Sequence, residues 1–435
     1  EDVLLHYHAH IDKYMGDAIL AEFGAPVDYE RHALLAVVAG LKMQETLRRG
    51  NYPWNMRVAI TTGETIVGLI GHKRQSYTAL GDVVNLASRV EKLCPPGKIT
   101  IDETTYEEIK MFCVGRRKAA AESEIGNTDL LVNIDDLKRR LAEDPRQKDV
   151  LKKLAFLFLE ANDLVEAQVY LGRVIELDPN DTQVKLAYAD VSFQLEAGGN
   201  IAIRGKRKRI HLYEIDGVRN PLLDRDRLPQ SIYDRYHEEL EKLVEYPEDL
   251  VLPVECIDAS VGHSRVVGFL SYAIADALDL PDLEKKQILE AAYLADIGKT
   301  IVPHHILNHA ERMNEVELEE FSKHCREGVR KLKQLGYDSE PIFDIVASHH
   351  ENFNGTGYPA QLAGDQIPLG ARIVAVADAY ADLTSWRPYR DPWEHRAAFA
   401  ELERQTHQGK FDPKVLACLG KLLNVQNHLG VSRGL

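Results

Sequence analysis

His263, Asp296, His324, His349, His350 and Asp378 are spread over a stretch of the chain that reads as helical throughout. Neutral imidazoles and carboxylates suit Fe, Mn or Zn. A helical bundle could bring all of them to one core. Two ions there would share a hydroxide able to attack phosphorus while the ions carry the developing charge. A lone histidine is usually a satisfied core residue. The adjacent pair His349–His350, just ahead of a Gly-rich loop, points instead to ligation. One segment breaks the pattern. "LADIGKT" (294–300) supplies Asp296 and, three residues on, Lys299, but the residue before Asp296 is Ala295.

A second group of chemically capable residues lies near the N-terminus. Asp17 follows Gly16 in a tight turn between two strand-like runs, "HIDKYM" and "AILAEF". Asn85 and Arg89 are four apart in "GDVVNLASRVEKL" (81–93), so both project from one helix face. Lys13 and Thr78 sit in strand patterns on either side of the intervening helix.

The elements that must hold these residues follow from periodicity. Residues 1–113 mix strand and helix patterns: a helix over 30–50, a hairpin over 56–71 and a helix over 81–93. That mixture predicts an α+β domain. Residues 126–197 are amphipathic helices with short polar breaks, and 201–217 return to strand alternation. Residues 218–253 are charged and punctuated by proline, with one helix over 230–246, and read as a linker. From 254 to 425 the pattern is helical, interrupted by a Gly/Pro-rich loop at 354–370.

The bulk properties exclude some functions. The 435 residues carry a formal net charge of −15, which argues against a nucleic-acid or anionic-membrane binder. No apolar run reaches the roughly 18 residues of a membrane span. Five scattered cysteines fit a reducing cytoplasm. The absence of an initiator Met suggests a fragment of a longer protein.

"DKYMGDAILAEFGAP", "MRVAITTGETIVGLIG" and "YTALGDVVNLASRVE" fall in order, and residues 10–112 resemble the class III nucleotide cyclase domain. The resemblance implies a ferredoxin-like fold, Mg or Mn on a triphosphate, and a site built between the two protomers of a homodimer. Asp17 matches one of two metal carboxylates. Asn85 and Arg89 match the pair that orients the ribose and stabilises the transition state. Lys13 and Thr78 match the purine-reading positions, and a Lys donor with a Thr hydroxyl suits adenine, hence ATP. The family's first metal Asp lies on a strand that would precede Glu1, so the site in this sequence is incomplete. "IAIRGKRKRIHLYEIDG" (201–217) resembles the domain's closing strand pair, with Arg204, then Lys206, as its phosphate-facing cation. Between these halves, "VLKKLAFLFLEANDLVEAQVYLGRVIELDPND" resembles a tetratricopeptide repeat and implies a groove for a protein partner.

"HSRV" (263–266), "ADIGKTIVPHHIL" (295–307), "HHENFNGTGYP" (349–359) and "ARIVAVADAY" (371–380) make residues 255–425 resemble the HD-GYP domain, a helical metal-dependent phosphodiesterase of cyclic di-GMP. The resemblance implies that His263 and Asp378 hold a first metal, that Asp296 bridges, and that His324, His349 and His350 hold a second. Ala295 stands where the first metal would have an imidazole, and Ala259 where some members carry a Glu for a third. Lys299 is implied as a phosphate contact, with Arg372, Arg387 and the Gly357–Tyr358–Pro359 loop toward the ligand. Asn354 and Ala381 replace residues usual in the family, and Asp382 lies one position along. The expectation is a cytoplasmic signalling protein that joins a cyclase-like module to an HD-GYP domain with reduced or absent hydrolysis. The alternative is a non-catalytic cyclic di-GMP sensor or scaffold.

Overall fold

A computed structural model describes residues 1–70, 76–118, 137–141, 144, 147–160, 164–196, 211–307, 313–387 and 390–425. Strands β1 (His10–Met15) and β2 (Ala18–Glu22) pair antiparallel around Gly16–Asp17, as the turn signal predicts. The register slips between Ile11 and Lys13, so the ladder is irregular at Asp12.

Strands β3 (Val58–Ile60) and β4 (Ile66–Ile70) correct the expected hairpin. β3 pairs parallel with β6 (Ile99–Asp102), whereas β4 pairs antiparallel with β5 (Ser76–Leu80). Alternation identifies strands but not their partners. The connection after β3 is tied elsewhere: the Thr61 hydroxyl donates to Val83 O at 2.9 Å. The larger sheet has the order β3–β6–β8–β7, with β7 at Cys113–Arg117 and β8 at Leu212–Val218. The strand that returns after the helical segment thus lies inside this sheet, between β6 and β7.

Helix α1 (Asp2–His6) precedes β1, and α2 (His32–Arg49) packs on the sheet. Leu34, Leu35, Val37, Val38 and Ala39 of α2 are all buried. Apolar residues all round mean that α2 is covered on two sides. The helix Glu248–Ile257 shares this core through Leu252, Cys256 and Ile257. Lys42 reinforces the contact, lying 2.7 Å from Glu248 and 3.0 Å from Asp249. Helices α3 (Asp82–Leu93) and α4 (Glu103–Ile109) complete this part.

The chain divides into two units, Glu1–Arg116 with Tyr213–Leu435, and Arg117–Leu212. The second unit contains helices Lys148–Glu160, Leu164–Leu177 and Thr182–Glu196. Leu151, Leu154, Ala155, Phe158, Ala167 and Leu171 form its core. Arg204 and Lys206 lie outside the described residues.

The remaining helices of the first unit enclose a core around His263–Ala277, which is buried on nearly all its faces. Residues 218–253, expected as a linker, contribute to that core. Their helix Gln230–Leu243 buries Ile232, Tyr236 and Leu240 there. No helix among the described residues is long and apolar enough to cross a membrane.

Candidate metal centre

Three chain segments converge on one point. His324 lies within helix Glu315–Gln334, whose start is fixed by a capping box between Asn314 and Glu317. His349 ends helix Glu340–Ser348, and His350 follows it. Asp296 opens the short 3₁₀ turn Ile297–Ile301. That turn crosses the His324 helix closely, because a Cβ on Gly298 would lie 1.9 Å from His324 O. The close approach brings Asp296 Oδ1 to 3.8 Å from Nε2 of both His324 and His349. One ligand atom each from Asp296, His324, His349 and His350 all lie within 4.8 Å of one another.

The hydrogen bonds orient the rings. Nδ1 of His324 meets Phe321 O at 2.5 Å and Nδ1 of His349 meets Val346 O at 2.8 Å. A carbonyl oxygen only accepts, so each Nδ1 carries the proton and each Nε2 presents a lone pair inward. Nε2 of His349 and of His350 is buried without a hydrogen-bond partner. A buried unsatisfied polar atom costs on the order of 1–3 kcal/mol, and a borderline divalent ion such as Fe, Mn or Zn would satisfy both. These four residues therefore fit an ion.

Burial, then the neighbouring His349, pushes the His324 imidazole down to about 4. Burial, followed by His349 and His324, likewise holds His350 well below the ordinary imidazole value. Protons do not compete for the His324 and His350 lone pairs at neutral pH. The unfolded chain, with an ordinary imidazole near 6.5, takes up the proton first. The stability held by neutral His324 is complete above about 6.5 and is lost as the pH falls toward about 4. Denaturant midpoints of the metal-free chain, measured from neutral pH down through that window, are expected to fall. A flat profile would contradict the assignment.

A second group, His263, Asp296 and Asp378, also has ligand atoms within 4.8 Å of one another. His263 Nε2 is bonded to Asp378 Oδ1 at 2.8 Å, and its Nδ1 is buried without a hydrogen-bond partner. Asp296 Oδ2 accepts from Lys299 Nζ at 2.8 Å, and Lys299 also reaches Asp258 Oδ2 at 3.3 Å. Burial opposes the charge on Asp296, but Lys299, His349 and His324 together hold its carboxyl well below the usual range. Ala295 is buried in the apolar core and offers no ligand, and Ala259 is buried likewise.

Residues 256–415 match the HD domain family, and residues 4–126 match the adenylate and guanylate cyclase catalytic domain. A Pseudomonas aeruginosa cyclic di-GMP phosphodiesterase is 38% identical over 163 residues, covering 38% of this chain and 39% of that protein. The chain carries a cyclase-family domain and an HD-GYP domain. A Vibrio cholerae 3′3′-cGAMP-specific phosphodiesterase is 33% identical over 164 residues, 36% of this chain and 30% of that protein. The chain spans less than half the length of these two curated relatives. Among solved structures, the guanylyl cyclase Cya2 is similar at 38% identity, covering 28% of this chain and 67% of that one with a TM-score of 0.26.

In the HD-GYP domain, the Gly357–Tyr358–Pro359 loop closes against the centre. Gly357 is required by space, since a Cβ there would lie 2.2 Å from Asn352 N. Buried Glu351 accepts from Ala360 N at 2.6 Å and Leu362 N at 3.1 Å, and the Tyr358 ring stands 5.0 Å from the His350 ring. Asn354 donates to Gln408 O at 3.0 Å, joining the loop to the turn after helix His395–His407. Arg372 pairs with Asp365 at 3.0 Å and Asp412 at 2.8 Å. Arg387 pairs with Asp382 at 2.7 Å, and Arg390 with the same carboxylate at 3.1 Å. Ala381 is fully buried.

Two residues of this region were not anticipated from the sequence. Asp258 holds Lys299. Glu255 accepts from Gly262 N and Ser264 N, both at 2.7 Å, and so fixes the start of the helix that carries His263. Each is an acid inside the otherwise apolar run "VECIDASVGH", which is the signal that could have marked them.

In the cyclase-family domain, Lys13 and Thr78 meet. Lys13 Nζ donates to Thr78 Oγ1 at 3.3 Å, and Thr78 Oγ1 donates to Asp12 Oδ2 at 2.7 Å. Asn85 and Arg89 both lie on the exposed side of α3, and Asp17 is exposed in its turn. Among the described residues the groups of three or more side chains with metal-ligand spacing lie in the HD-GYP domain, and Asp17 belongs to none of them.

Proposed function

We propose that this chain is a second-messenger protein whose HD-GYP domain binds a cyclic dinucleotide, cyclic di-GMP in the first place, and hydrolyses it slowly or not at all. The observation that carries the reading is the convergence of Asp296, His324, His349 and His350 within 4.8 Å. An Fe, Mn or Zn ion held there supplies a Lewis acid for a phosphodiester oxygen. The chain's own residues supply the rest. Burial keeps His324 and His350 neutral, the Phe321 and Val346 carbonyls orient His324 and His349, and the Tyr358 ring stands 5.0 Å from that of His350. The alanines at 259, 295 and 381 favour binding over cleavage.

The cyclase-family domain is read as ATP-directed, with Lys13 and Thr78 toward the purine, Asn85 and Arg89 toward the ribose and triphosphate, and Asp17 toward Mg or Mn. Its site would be completed in a homodimer, and Arg204 or Lys206 would face the phosphates. The helical unit is read as a tetratricopeptide-like docking surface for a protein.

The test is a calorimetric titration of the full chain with cyclic di-GMP, Mn-loaded and metal-stripped. Binding to the loaded form and its loss on stripping are expected. No binding in either state would contradict the reading.

A further inference from the structure

We infer that the cyclase-family domain and the helices of the metal centre open and close as one cooperative unit, so that an event in the first is felt at the second. The inference goes beyond the nucleotide reading and holds whether or not the HD-GYP domain cleaves its ligand.

Three segments that carry residues of the centre also reach the cyclase-family domain. The first is helix Glu248–Ile257 with the loop after it. Leu252 and Cys256 lie four apart, on one face, and join Leu34, Leu35 and Val38 of α2 in a single apolar core. The loop adds Ala259 and Val261 to that core. Two residues after Val261, His263 begins its own helix. Glu255, from the same Glu248–Ile257 helix, accepts from Gly262 N and Ser264 N, both at 2.7 Å. One helix is thus packed on α2 and bonded to the start of the His263 helix.

The second segment follows Asp296. The 3₁₀ turn Ile297–Ile301 leads to His304, whose ring meets Tyr29 edge-on with centroids 4.3 Å apart. Leu307 then packs against the shared core. The third segment follows Asp378. Helix Leu369–Leu383, which carries that residue, is succeeded by Trp386. Trp386 packs against the same core and meets Phe112 edge-on at 5.6 Å.

These contacts are not a loose surface touch. Leu34, Leu35, Val38 and Cys256 are at most 1% exposed. Lys42 of α2 adds a charged tie, 2.7 Å from Glu248 and 3.0 Å from Asp249, with its own side chain 11% exposed. A cation so far out of water is costly to leave unpaired. A core shared by two domains cannot open on one side without exposing apolar surface on the other. Cooperative units of opening follow such shared packing rather than boundaries along the chain. The segments bearing His263, Asp296 and Asp378 therefore open together with α2.

The test is amide hydrogen exchange of the full chain, read in α2 (His32–Arg49) and in the His263 helix (His263–Ala277). Two variants perturb the contact without touching the centre, and both are measured metal-free. Lys42→Met strips the cation from Glu248 and Asp249. Phe112→Leu keeps an apolar side chain but loses the ring that meets Trp386. Each is expected to speed exchange in both helices by a common factor of about 5 or more, the lower end of usual couplings between sites. A change confined to one of the two helices, or no change in either helix from either variant, would overturn the inference. A second arm adds Mn to the wild type and needs no variant to fold. It rests on the reading of the His-rich group as a metal site, which the metal-free arm does not. Exchange is expected to slow in both helices alike. Slowing in the His263 helix alone would overturn the inference and leave the metal site standing. No slowing in either helix, with the metal-free result as expected, would sink only the metal reading.

Discussion

Replacing His349 by alanine is expected to lower the affinity of the full chain for Mn by at least about 100-fold. Loss of an outer hydrogen-bond partner of a metal ligand typically costs about 10–100-fold, and this change removes a ligand outright. His349 is placed for that role by two contacts: Nδ1 is occupied by Val346 O at 2.8 Å, and Nε2 lies 3.8 Å from Asp296 Oδ1 with no hydrogen-bond partner. A chelator-competition titration reads the effect. His395→Ala serves as a control, because that ring bonds Tyr380 and the Arg225 carbonyl rather than the centre. An unchanged affinity in His349→Ala would remove the imidazole cluster from the account. Because a bound ion stabilises the folded chain by mass action, the variant is also expected to lose the rise in melting temperature that Mn gives the wild type.

Gly298→Ala is expected to be among the most damaging glycine-to-alanine changes at the described residues. The added methyl would lie 1.9 Å from His324 O and 2.6 Å from Gly328 N. Both are backbone atoms of one helix, so no side chain can rotate away to make room. The turn carrying Asp296 and Lys299 must lift off the helix carrying His324. Overpacking a core costs about 1–3 kcal/mol, and a backbone clash of this kind belongs at or above the upper end. Thermal unfolding is expected to show a lower midpoint for the HD-GYP domain, together with weaker Mn binding. A midpoint and affinity equal to those of the wild type would show that the turn yields freely and that its close approach does not set the centre.

The sequence carried most of the candidate centre and less of the framework around it. His324, His349, His350 and Asp296 were readable because residue type and motif order constrain them strongly. Ala295 was readable as a gap in the same motif. The partnership of Asp258 with Lys299 was not readable, since the two are far apart in sequence and meet only in the folded chain. Ile232, Tyr236 and Leu240 fall at i, i+4 and i+8, a helical stripe that marks a buried helix where the surrounding charge suggested a linker. The pairing of β3 with β6 and of β4 with β5 was hidden for a different reason. Period-2 alternation fixes which face of a strand is buried, whereas its partner is chosen by long-range packing. The meeting of Lys13 with Thr78 came from matched motifs, while Asp12, brought into the same group, had no signal of its own.

In the proposed function the HD-GYP domain receives a cyclic dinucleotide without turning it over efficiently. The measurement that tests this most directly is a single-turnover assay with the Mn-loaded chain in excess over labelled cyclic di-GMP. Bound ligand that stays cyclic, with linear dinucleotide forming far more slowly than the roughly 10 per second typical of enzymes, is the predicted result. Rapid and complete conversion to the linear product would contradict it.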